Sequence, residues 1–163
     1  MSLRRPRLVR FARLAPAIAG ALVAVVIAAG SVAADPGTKV LDASMTGIPT
    51  GGLSLLGVSG GGIAWRLDRG DARLFADGRL QVSVRHLVLA AGALEGTNPI
   101  AKGRAIVACN GGASAMSDLV DFSPEGNAMV ETMVQLPMPC LAPVVFFAGQ
   151  TGAGPRWFAV TGG

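Results

Sequence analysis

Turn-forming residues cut this sequence into short pieces. Gly60-Gly61-Gly62, Asp77-Gly78, Gly96-Thr97-Asn98-Pro99, Ser123-Pro124-Glu125-Gly126 and the run 149–155 punctuate the chain beyond residue 58. The pieces between them are too short for an amphipathic helix of roughly ten residues or more. Where a period is visible it is two: Leu80, Val82 and Val84 alternate with Gln81, Ser83 and Arg85, as in a strand with one buried face. Asp77-Gly78 ahead of them suits the positive φ values of a two-residue hairpin turn. Strands are predicted over 63–67, 72–76, 79–89, 104–110, 117–122, 128–136, 142–148 and 156–161. Parallel βαβ units are excluded, because no connection has room for the crossover helix. The expected fold is therefore all-β: an antiparallel β-sandwich of immunoglobulin-like size with about eight strands.

Residues 1–34 read as a secretory signal, an N-terminal signal helix ahead of the folded body. Arg4, Arg5, Arg7, Arg10 and Arg13 form a basic start, residues 17–29 are apolar or small, and Val32 and Ala34 suit cleavage before Asp35. The alternative is an uncleaved anchor, since residues 14–34 carry no charge and approach the ~20 residues that cross a bilayer. In either case the body is exported, to a secreted or cell-surface location. Arg4-Arg5 hints at twin-arginine export, but Pro6 and Arg7 follow, and the general secretory route is preferred.

Removing the leader changes the electrostatics. The 14 basic residues less the five leader arginines leave nine against ten acidic ones, a net charge of −1 rather than +4. Without a basic field the counterion-release term behind nucleic-acid binding is missing, so nucleic acid is not an expected partner. Cys109 and Cys140 form an even pair in an oxidising compartment and are predicted to be disulfide-bonded. One His and two Cys cannot supply a zinc site with its usual four ligands, and no cofactor is expected.

Residues 35–57 are rich in Gly, Ser and Thr, with Pro36 and Pro49, and are expected to be an extended, partly flexible segment outside the domain 58–163. Strand character is visible within it at 39–45 and 53–58.

Several strings, namely Gly61-Gly62-Ile63-Ala64-Trp65, Val82-Ser83-Val84-Arg85-His86-Leu87-Val88 and Gly96-Thr97-Asn98-Pro99, resemble those of a type of small exported bacterial protein. So do Phe122-Ser123-Pro124-Glu125-Gly126-Asn127-Ala128, the stretch 136–143 and the ending Trp157-Phe158-Ala159-Val160-Thr161-Gly162. The resemblance covers residues 58–163 and not the leader. It implies export and a β-rich fold, and it carries no activity.

Candidate chemistry is thin. Gly57-Val58-Ser59-Gly60-Gly61 matches a nucleophile pattern that works on a strained strand-to-helix turn with a histidine in reach. Three glycines in a row are the wrong start for that helix, and the sole base, His86, falls inside a predicted strand. Asp68, Asp71 and Asp77, and separately Asp118, Asp121 and Glu125, lack the spacing of a calcium loop; solvated faces with cross-strand ion pairs are the simpler reading. Arg69-Gly70-Asp71 spells an adhesion tripeptide, but a turn between strands accounts for it. Trp65 and Trp157, with His86, are the candidate ligand-binding residues: an exposed aromatic face would suit polysaccharide, whereas core packing has first claim on scarce aromatics. The sequence thus predicts a non-enzymatic structural or interaction module with an unidentified protein or polysaccharide partner. The alternatives are a carbohydrate or cell-wall-binding module and, more remotely, a serine hydrolase. Membrane contact is expected only through an uncleaved N-terminus.

Overall fold

The computed structural model describes Asp35 and residues 37–162, and the expected signal 1–34 lies outside them. Among the described residues there are thirteen strands and no helix. They are β1 (Lys39–Gly47), β2 (Ser54–Leu55), β3 (Val58–Ser59), β4 (Trp65–Arg66), β5 (Arg69–Phe75), β6 (Arg79–Arg85) and β7 (Val88–Leu89). The second half holds β8 (Lys102–Cys109), β9 (Gly112–Met116), β10 (Val120–Asp121), β11 (Ala128–Met133), β12 (Val144–Thr151) and β13 (Gly154–Thr161). All the strand pairs are antiparallel.

The sheet runs in the order β10-β8-β12-β13-β1-β5-β6-β11, with β9 on β8. Its two halves meet at β1, which pairs with β5 from Lys39 to Ser44 and then with β13 from Met45 to Gly47. A strand that changes partners midway turns a corner, and the sheet curls into a half-barrel rather than two separate layers. β1 therefore corrects the expectation that residues 35–57 lie outside the domain: it is central. Glycines flank it at Gly37, Gly51 and Gly52, and Gly47 ends it, while Val40 to Met45 within it suits a strand.

The β5–β6 hairpin follows its sequence closely. Leu74, Leu80, Val82 and Val84 are buried, while Arg73, Arg79 and Arg85 are exposed. Gly78 takes φ +89°, and a Cβ there would sit 2.2 Å from the Val134 carbonyl oxygen. The strand predicted over 79–89 is broken, however. His86 has φ +53°, its backbone N–H donates to Asn127 Oδ1 at 3.1 Å, and the chain restarts as β7 beside β4.

β12 and β13 are apolar on both sides because both sides are covered. On the inner side Trp65 stacks on Phe158 with centroids 3.9 Å apart, and Phe122 meets Phe147 edge-on at 5.0 Å. On the outer side Phe146 packs against Trp157 at 5.7 Å, and the Trp157 indole N–H donates to Val58 O in the β2–β3 hairpin. Gly103 and Gly149 face each other across β8 and β12, where a Cβ would lie 2.4 Å from Phe147 and 2.2 Å from Phe158 respectively. These two glycines make room for the rings.

The Cys109–Cys140 disulfide is present, with Cα atoms 5.1 Å apart. Asn110 reinforces it. Its side chain donates to Pro139 O and accepts from the Leu141 N–H, and its own backbone N–H donates to Leu141 O.

Candidate functional site

The curl stops short of closure. β11 pairs with β6 on one side only, and β10, at the far end of the path, comes alongside it without pairing. A groove of about 700 Å³ follows this seam, lined by Ser83, Arg85, Val120, Asp121, Asn127 and Met129 among others. Alternation along β11 buries Val130 and turns Met129, Glu131 and Met133 outward. Two further depressions, of about 150 and 180 Å³, also border this strand, one at Met129 and one at Met133 and Met138.

The methionines mark the region chemically. Met45 is buried, whereas Met129, Met133 and Met138 beside β11 are 61%, 62% and 82% exposed. Leu119, next to Val120, adds exposed apolar surface. A long, unbranched thioether adapts to varied partners, which is why such side chains recur at binding surfaces. Arg85 makes no ion pair with a described residue, while Asp121 is bonded to Lys102, whose ammonium holds that carboxyl below the usual carboxylate range. Sequence reasoning missed this site, because residues 128–136 look like one long strand until its partner strands are known.

The residues singled out from sequence are not assembled into one place. Trp65 and Trp157 are 5% and 3% exposed and belong to the inner and outer sides of the sheet. His86 is half-buried in the turn after β6, beside Asn127. Ser59 pairs with Ser54 in a short hairpin packed on β13, and no hydrogen bond joins it to His86. Gly60 to Gly62 do not start a helix: Gly60 and Gly61 donate to Leu53 O and Trp157 O. Among the described residues no group of three His, Cys, Asp or Glu side chains is placed to hold a metal.

Most of the acidic residues are occupied at the surface. Asp42 lies between Lys39 and Arg73, and the Lys39 hydrogen bond above all holds its carboxyl below the usual range. Asp71 and Asp77 pair with Arg69 and Arg79. Glu125 is lowered by the Ser123 hydroxyl and then by its own backbone N–H. The Arg69-Gly70-Asp71 tripeptide lies within β5, with Gly70 buried, so it is not a turn. Comparison with protein-family models, curated proteins and solved structures finds no match to this chain.

Proposed function

We propose that this chain is an exported, non-enzymatic interaction module that takes a protein segment along the open seam beside β11. The observation that carries the reading is the pairing of an unpartnered strand edge with exposed Met129, Met133 and Met138. An extended peptide adds main-chain hydrogen bonds to such an edge, and side-chain grooves on either side select among peptides. Arg85 in the groove favours an acidic residue near the β6 end. Export rests on the leader, and the disulfide is consistent with an oxidising compartment. A polysaccharide platform has less support, because the rings it needs, Trp65 and Trp157, are buried. A hydrolase has less still, with Ser59 and His86 in separate hairpins.

The test is site-specific photocrosslinking in the source cell. A benzophenone side chain at Met129 is expected to give discrete protein adducts, and one at exposed Ser44 on β1 none. Absence of adducts at position 129, or the same adducts from both positions, refutes the seam. Fluorophosphonate labelling of Ser59 refutes the non-enzymatic part.

A further inference from the structure

A second concavity shares no residue with the seam. It has a volume of about 400 Å³ and is floored by the stacked rings of Trp65 and Phe158. We propose that this groove binds a single-chain fatty carboxylate, its alkyl chain along Ile63, Leu94, Pro99 and Ile100 above the rings and its head group at Arg156.

The glycine run shapes the floor. A Cβ at Gly61 would lie 3.0 Å from the Phe158 ring and 3.2 Å from Trp65 Nε1, so only a glycine lets the chain pass this closely over the rings, which keep a narrow exposed margin of 2% and 5%. At Gly62 a Cβ would meet nothing within 4 Å, because the position opens into the groove. Leu89, Pro99 and Ile100 continue the apolar lining, and Ile63 and Leu94 stand at the mouth 45% and 54% exposed. The volume falls in the range of small-molecule sites, which pair an apolar lining with a few polar groups.

Those polar groups are donors. Arg156 is half-buried and makes no ion pair or hydrogen bond with a described residue, whereas Arg66, Arg69, Arg73 and Arg79 each have a carboxylate. The Trp65 indole N–H likewise has no acceptor among the described residues, although that of Trp157 does. A partly desolvated guanidinium next to apolar surface gains most from an anion that brings its own apolar body. One cation matches a monoanion. A sugar would find too few polar partners, and a phosphate dianion would find one arginine where it favours several. The leader 1–34, with its five arginines and no acid, carries the wrong charge to be the occupant.

The experiment is an amide and indole NMR titration of the exported form with decanoate, decanol and decylammonium. Decanoate is expected to move the Trp65 indole and Gly62 amide signals and to leave the Trp157 indole in place. Arg156→Gln should weaken decanoate about tenfold, the loss of one charge-assisted hydrogen bond, and leave decanol unchanged. Gly62→Leu, at an unstrained position with open space, should fill the groove and abolish both. The proposal is overturned if decanoate leaves the Trp65 signal unmoved, if decylammonium binds as well as decanoate, or if Arg156→Gln has no effect. It is also overturned if a peptide of residues 1–34 binds more tightly than decanoate, or if the Trp65 signal shifts with protein concentration alone, as a second copy in the groove would cause. The groove does not depend on the reading of β11: Met129→Glu is expected to leave decanoate binding intact.

Discussion

Replacing Cys109 and Cys140 together by alanine removes a crosslink that spans 31 residues of chain. The loop-closure model gives a loss of about 3.7 kcal/mol for a loop of this length, because the unfolded chain regains the conformations the bridge denied it. For the 127 described residues, unfolding entropies near 2.1 cal/mol/K per residue give about 0.27 kcal/mol/K, so Tm should fall by roughly 14 °C. The native structure is expected to change little, since three hydrogen bonds to Asn110 already hold Pro139 and Leu141 against the end of β8. Calorimetry of the oxidised protein and the double variant measures the shift. Denaturant unfolding adds a separate check, because a chain without the crosslink exposes more surface and its m value should rise. A fall of less than about 5 °C with an unchanged m value would refute the reasoning, and would mean that the Asn110 bonds and local packing, not the covalent link, restrain this loop.

Asn98→Leu should destabilise by about 2 kcal/mol in urea unfolding, because the buried amide donates to Ile100 O and accepts from the Ile100 N–H and both would be left unpaired, while Ser123 O, its other acceptor, keeps the Gly126 N–H. Gly78→Ala should lower the urea midpoint by the equivalent of more than about 1 kcal/mol, since alanine is strained at φ +89° and its Cβ meets the Val134 carbonyl. Asp42, Asp121 and Glu125 all have carboxyls held below their ordinary values, so their contributions are complete above the unfolded-state range near pH 4 and are lost as pH falls through the lower folded values. The urea midpoint should be flat against these groups above about pH 5 and fall on acidification, and D42N/D121N/E125Q should flatten that fall.

Local signals carried much of the fold. Alternation from Leu80 to Val84 and the Asp77-Gly78 turn placed the β5–β6 hairpin, because one side of it faces water and the pattern survives, although β5 starts three residues before the expected 72 and β6 ends at Arg85. Where both sides are covered the pattern vanishes. Val145, Phe146, Phe147 and Ala148 are all fully buried, and nothing in such a run says which ring points inward. β9 was missed for a different reason: from Gly112 to Met116 all but the last residue are glycine, alanine or serine, and only its pairing with β8 makes it a strand. The break at His86 was illegible too. A histidine at positive φ is held there by Asn127, 41 positions away in sequence.

The seam was invisible for a reason that also bears on its use. Closure of a barrel depends on whether its first and last strands pair, and here these are β10 and β11, neither marked by an unusual sequence. β10 is two residues long, too short to continue the ladder along the six of β11. Much of the β11 edge is therefore left with unused main-chain donors and acceptors. Exposed edges of this kind invite uncontrolled pairing unless charge, proline or twist blunts them. β11 carries a single charge, Glu131, between Met129 and Met133, and Pro137 and Pro139 come only after it has ended. An edge left so lightly protected, and flanked by adaptable apolar side chains, is what a strand-accepting surface requires. On that argument Met129→Lys, a charge on the edge itself, should leave stability within about 0.5 kcal/mol of wild type while abolishing capture at the seam.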